Sequence, residues 1–214
     1  MSFRPRLLLS VIVLWMTQLS AQSFEGVIEM KTKSDADTPS ITYMVKDGNV
    51  RIEMETQRGT MVLLHMGKDG SNIVLMTQMQ MYMEVPAAQP PEGDAPKPEI
   101  TKTGKSQKIL GYDADEIDVK GENFESKIWA TKGLGQYVAP GMGGRDRNGF
   151  DWESMEQYKG YFPLQIVTTG KSGNESKFEV TKIEQKSLDA SLFQIPPDYK
   201  KMDRPMMGRP RNER

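Results

Sequence analysis

Apolar and polar residues alternate one by one along most of this chain. Phe24, Gly26, Ile28 and Met30 fall on one side of the alternation, with Glu25, Val27, Glu29 and Lys31 on the other. Val50, Ile52 and Met54 alternate with Arg51, Glu53 and Glu55, and Met81, Met83 and Val85 with Gln80, Tyr82 and Glu84. Phe124, Ser126, Ile128 and Ala130 alternate with Glu125, Lys127 and Trp129. Successive side chains of a strand point to opposite faces, so a period of two marks strands with one buried and one wet face. One-sided burial belongs to antiparallel sheets; parallel strands covered by helices read as unbroken apolar runs. Turn residues sit where hairpins need them: Asp47-Gly48-Asn49, Asp69-Gly70, Lys120-Gly121-Glu122-Asn123 and Gly170-Lys171-Ser172-Gly173 each separate two such runs. About ten strands are expected, at the roughly 8–12 residue spacing of an all-β sheet or barrel.

Two stretches interrupt the alternation. Pro86 to Pro98 holds five prolines in 13 residues and reads as a solvated loop. The stretches on either side, 22–85 and 99–199, each read as half of a sheet, so one domain over 22–201 is expected. The second interruption runs from Lys132 to Gly160. Within it Asp151 can cap a short helix whose Trp152, Met155 and Tyr158 recur at helical spacing, and Gly160 closes it. The expected fold is mainly β (α+β): a curved antiparallel sheet whose apolar face is partly covered by this small helical lid.

The first 21 residues carry a separate signal. Arg4 and Arg6 precede an apolar run from Leu7 to Trp15, and Leu19-Ser20-Ala21 offers a small-residue exit. That is the pattern of a secretory signal peptide, with cleavage expected near Ala21 and a periplasmic or extracellular destination. Removing 21 of the 214 residues leaves 193, without any Cys. Removing Arg4 and Arg6 from 28 basic residues leaves 26 against 29 acidic ones, a net charge of −3, which argues against a nucleic-acid partner. From Lys200 to Arg214 six basic residues face two acidic ones, and residues 202–214 read as a basic, disordered tail. No apolar run after residue 21 is long enough to span a bilayer.

Chemistry is sparse by comparison. His65 is the sole histidine, so neither a catalytic triad nor a His/Cys metal centre has its partners. Gly104-Lys105-Ser106 and Gly170-Lys171-Ser172 lack the earlier glycine of a phosphate loop and read as turns. Asp146, Asn148, Asp151 and Glu153 depart from calcium-loop spacing and are better explained as a solvated turn and helix cap. No cofactor, metal or enzymatic activity is expected. Methionine is the anomaly: the chain has 16, and Met76, Met79, Met81 and Met83 fall within eight residues. Flexible thioethers serve as core filler, as an adaptable wall for a hydrophobic ligand, or as soft ligands for Cu(I) or Ag(I). Met79, Met81 and Met83 on one strand face would stand about 6.6 Å apart, too far to share an ion without an adjacent strand such as that of Met54 or Met66.

Several segments together resemble the secreted domain-of-unknown-function family 4412, whose members are similar to the lipoprotein-carrier fold of the LolA, LolB and LppX type. They are Phe24-Glu25-Gly26 opening a strand, the hairpin Lys46-Asp47-Gly48-Asn49-Val50-Arg51, Lys108-Ile109-Leu110-Gly111-Tyr112, and Ile128-Trp129-Ala130-Thr131. The closing segment Leu188-Asp189-Ala190-Ser191-Leu192-Phe193-Gln194-Ile195-Pro196-Pro197-Asp198-Tyr199 completes the set. The resemblance covers most of 22–201. It implies an open half-barrel whose concave side holds acyl chains, but no carrier's ligand-contacting residue transfers to a position here. The expected function is thus non-enzymatic binding of a lipid, acyl chain or lipoprotein. Met54, Met81, Met83 and Ile128 would form the wall, with Trp152 and Met155 as the lid. The alternatives are an envelope interaction module with a filled core and a methionine-rich Cu(I) binder.

Overall fold

The computed structural model describes residues 23–33, 40–56, 59–85, 98–139 and 158–202. Among the described residues twelve strands form one sheet. In chain order they are β1 (Gly26–Lys33), β2 (Ser40–Lys46), β3 (Asn49–Thr56), β4 (Gly59–Met66), β5 (Ser71–Met76) and β6 (Met81–Val85). There follow β7 (Glu99–Ile109), β8 (Tyr112–Lys120), β9 (Phe124–Lys132), β10 (Tyr161–Gly170), β11 (Glu175–Gln185) and β12 (Lys200–Lys201). Their spatial order is β12-β6-β5-β4-β3-β2-β1-β11-β10-β9-β8-β7. Two antiparallel meanders are therefore joined side by side where β1 meets β11, from Gly26 opposite Gln185 to Lys33 opposite Lys177. The sheet stays open, with β7 at one edge and the two-residue β12 lying parallel against β6 at the other. The first hairpin follows its turn chemistry: Asp47 and Gly48 both take positive φ, 50° and 78°, which sets Val45 opposite Val50.

Curvature shows in the core. Tyr43 on β2 and Phe162 on β10 leave strands three spacings apart, about 14 Å along a sheet. Their rings nonetheless meet edge-on with centroids 5.3 Å apart. The segment Gly133–Ala139 folds onto this cluster and buries Leu134, Tyr137, Val138 and Ala139. On the other side of β4, β5 and β6, Val62, Leu64 and Leu75 form a second cluster, against which Ile195 and Tyr199 pack. The chain after β11 thus runs as a strap. Glu25 fastens its start by accepting a hydrogen bond from the Leu188 amide (2.6 Å) and pairing with Lys46 (2.7 Å). Arg51 holds the middle by donating to the Leu192 carbonyl (2.9 Å), and Lys200 and Met202 amides donate to Gln80 and Tyr82 carbonyls at the end.

The architecture is the expected mainly β, open sheet. Two local features differ from the sequence expectation. Met79 is not on a strand with Met81 and Met83: Gln80 is left-handed (φ 50°), so residues Thr77–Met79 form a 3-10 turn and Met79 is 60% exposed. On β4 and β5 the buried positions run consecutively, because the strap covers the face that an exposed sheet would leave wet. The expected signal peptide, the loop over 86–97, the lid residues Trp152 and Met155, the loop with Asp146, and the tail from 203 lie outside the described residues.

Candidate functional site

From β1 to β6 the register lays the inward side chains in three cross-strand rows. Gly26, Val45, Val50, His65, Asn72 and Val85 form one, and Ile28, Tyr43, Ile52, Leu63, Val74 and Met83 the next. The third is Met30, Ile41, Met54, Met61, Met76 and Met81, five methionines in six positions. The second row is closed over: Ile28, Tyr43 and Ile52 have no exposed surface. The methionine row is closed only at its β1–β2 end, where Met30 is fully buried and Ile41 nearly so. Met54, Met61, Met76 and Met81 remain partly exposed. The site is therefore a half-open apolar rim along β3 to β6.

The closed part is sealed by Gly133–Ala139. Buried Tyr43 donates its hydroxyl proton to the Gln136 carbonyl (3.0 Å) and accepts from the Val138 amide (2.7 Å). Tyr137 stands edge-on to Phe162 (5.4 Å) and to Phe178 (6.4 Å). Side chains thus occupy the middle of the curved face, and the free apolar surface is at its margin.

The sequence-selected residues separate accordingly. Met54 and Met81 share the methionine row, with Met61 and Met76 between them, and Met83 neighbours Met81 in the next row opposite Val74. Ile128 lies on the other meander, 3% exposed, opposite Ile117 on β8 and Ile166 on β10. The lid candidates Trp152 and Met155 fall outside the described residues, but Tyr158 from the same stretch is buried and its ring meets Tyr161 at 6.5 Å. Sequence reasoning noted Met76 in the methionine cluster but placed neither it nor Met61 in the site. It also missed a polar trio beside Ile117: Tyr161 donates to Asp115 (3.0 Å) and accepts from Lys102 (2.9 Å), and Lys102 also pairs with Asp115 at 2.7 Å. Lys132 lies over the Tyr161 ring, 4.8 Å from its centroid. The hydrogen bond from Lys102 is the main reason the Asp115 carboxyl is held below its ordinary range, and Asp115 in turn raises Lys102. His65 is buried and its Nδ1 lies 2.9 Å from Asn72 Oδ1, directly across the β4–β5 pair. Among the described residues no group of three His, Cys, Asp or Glu side chains is placed to hold a metal.

The sequence pattern of the family described as Domain of unknown function (DUF4412) matches residues 24–199, from Phe24 before β1 to Tyr199 at the end of the strap. The chain belongs to the DUF4412 family. No curated protein matches its sequence. Among solved structures, this DUF4412 protein is similar to an uncharacterized conserved protein from Thermus thermophilus at 9% identity and a TM-score of 0.54, covering 86% of this chain and 93% of that one. It is similar to PNGF-II at 15% identity and a TM-score of 0.52, covering 85% of this chain and 32% of that one. The chain therefore spans about a third of the length of PNGF-II. A looser likeness, at 11% identity and a TM-score of 0.34, is to a putative outer membrane lipoprotein-sorting protein domain from Vibrio parahaemolyticus, covering 82% of this chain and 90% of that one. The first two likenesses are of fold alone.

Proposed function

We propose that this protein is an exported, non-enzymatic binding protein of the cell envelope that holds a lipid, acyl chain or lipoprotein chain on its methionine rim. The observation that carries this reading is the half-open row Met54, Met61, Met76 and Met81, continuous with a dry core at Met30. An alkyl chain laid along it would exchange water for thioether and methylene contacts, gaining about 0.8 kcal/mol per buried methylene. Unbranched methionines re-pack around ligands of different shape, which suits a carrier better than rigid β-branched walls. The Tyr43–Tyr137–Phe162 packing fills the middle of the face, so the ligand lies along the margin. Arg4, Arg6 and the apolar run to Trp15 supply the export signal for an envelope location. The same filled centre favours a second reading, an interaction module that binds another protein through this rim.

Native mass spectrometry of the protein purified after export, with lipid extraction in parallel, separates the two. A co-purifying mass that disappears on delipidation and is absent from the Met81→Gln, Met83→Gln variant is the expected result. A clean apo mass that takes up no added lipid sinks the carrier reading and leaves the interaction module.

A further inference from the structure

The methionine row has a property that neither an alkyl-chain wall nor a packed core requires. Met54 stands directly opposite Met61, Met61 opposite Met76, and Met76 opposite Met81, so four successive strands each present a thioether at one level of the sheet. The adjoining row does its packing with Ile52, Leu63, Val74 and Met83, and the row beyond it with Val50, His65, Asn72 and Val85. The adjoining row supplies its bulk chiefly with branched residues and has one methionine, Met83, while this level carries a methionine on each of four successive strands. Directly opposed residues hold their Cβ atoms about 4.5–5.5 Å apart. Sulfurs around one ion at a bond length of about 2.3 Å stand about 4 Å apart, which neighbouring methionines reach by rotamer choice.

We propose that Met61 and Met76, with Met54 or Met81 as the third donor, form an all-thioether site for a soft monovalent cation, Cu(I) or Ag(I). Soft ligands select soft ions, and the four side chains are partly exposed, so an ion can enter from the rim. His65 is no competitor: four residues along β4 from Met61 it stands about 13 Å away, and it is already engaged with Asn72. A thioether has no proton to lose on binding, so affinity here is independent of pH where a His or Cys site would weaken in acid. Leucine at these positions keeps apolar bulk and removes the sulfur donor.

The test is anaerobic titration of the exported protein with Cu(I) against a chromophoric chelator, repeated with Ag(I), which is redox-inert. One ion is expected per chain, with only sulfur in its first shell by X-ray absorption and the same affinity at about pH 7 and about pH 5. Met61→Leu with Met76→Leu is expected to weaken binding by about 100-fold or more, the scale on which even outer-shell partners matter. Met66→Leu with Met79→Leu, which removes two methionines outside the row, is expected to change nothing. If the double variant misfolds, Met81→Leu at the sheet edge repeats the measurement singly. Binding no tighter than to the double variant, equal loss in the Met66/Met79 variant, or nitrogen or oxygen in the shell overturns the proposal.

Discussion

Tyr43 illustrates how one side chain secures the filled centre of the curved face. Its ring is fully buried, and its hydroxyl serves both a carbonyl and an amide of the segment that covers it. Tyr43→Phe keeps the packing, orphans the buried Val138 amide at a cost of about 1–3 kcal/mol, and frees the carbonyl of the exposed Gln136 to turn to water. Denaturant unfolding should register that loss, and amide exchange at Val138 should accelerate more than elsewhere. Glu116 is the charged counterpart: 3% exposed, it lies between Lys105 at 3.1 Å and Lys127 at 3.8 Å. Burial pushes its carboxyl up, but the hydrogen bonds from Lys105 and Thr103 and the charge of Lys127 outweigh that and hold it below the ordinary 4.5. A folded value below the unfolded one means stability that is complete above the unfolded value and lost as pH falls through the folded one. Glu116→Gln should therefore be less stable than wild type at neutral pH, and the two melting curves should converge as the solution is acidified below the ordinary carboxylate range. Both lysines are more than half exposed, so added salt should narrow the neutral-pH gap.

Among elements, the strap does most to define the rim. It covers the backs of β4 and β5, so those two strands are apolar on both faces and hold the methionine row from behind, and it reaches Tyr82 on β6. Phe193, 4% exposed within the 3-10 turn Ala190–Phe193, anchors it. Phe193→Ala should cost about 3–5 kcal/mol, the range for large-to-small changes in a packed site. A cooperative shift of the denaturant midpoint, with new binding of a hydrophobic dye to the uncovered Val62, Leu64 and Leu75, would register it; an unchanged midpoint would show that the strap is ornamental. The alternation of β1, β3, β6 and β9 was legible because those strands are wet on one side, and the closing segment Leu188–Tyr199 was legible as a motif. β4 and β5 were harder to read, since Met61-Val62-Leu63-Leu64 and Ile73-Val74-Leu75-Met76 hide the period of two beneath two-sided burial. That is why Met54, Met81 and Met83 could be placed in the wall, while Met76 was noted only as part of a cluster and Met61 in neither. A signal did exist: the chain reversal that sets Thr56 opposite Gly59 reflects position 54 onto 61, and reflection about the next two reversals carries 61 to 76 and 76 to 81. Gly133–Ala139 had no such signal, because its burial comes from Tyr43 and Phe162, which are distant in sequence.

At the scale of the whole molecule, an open sheet must protect two edges. β6 is partly capped by β12, while β7 is eleven residues long, carries Lys102, Lys105 and Lys108, and is bulged between Lys102 and Ser106. Charge and a bulge both discourage pairing with another chain's edge. The middle of the sheet has a consequence for how the protein comes into being. Gly26 is bonded into place by Gln185, so the innermost strand of the finished sheet has its neighbour on one side only after nearly the whole polypeptide is available. Contacts that distant in sequence make for slow, late assembly. On the proposed export route, a chain built this way would cross a translocation channel unfolded without having to be held open, and its two halves would meet only once the last long strand has emerged.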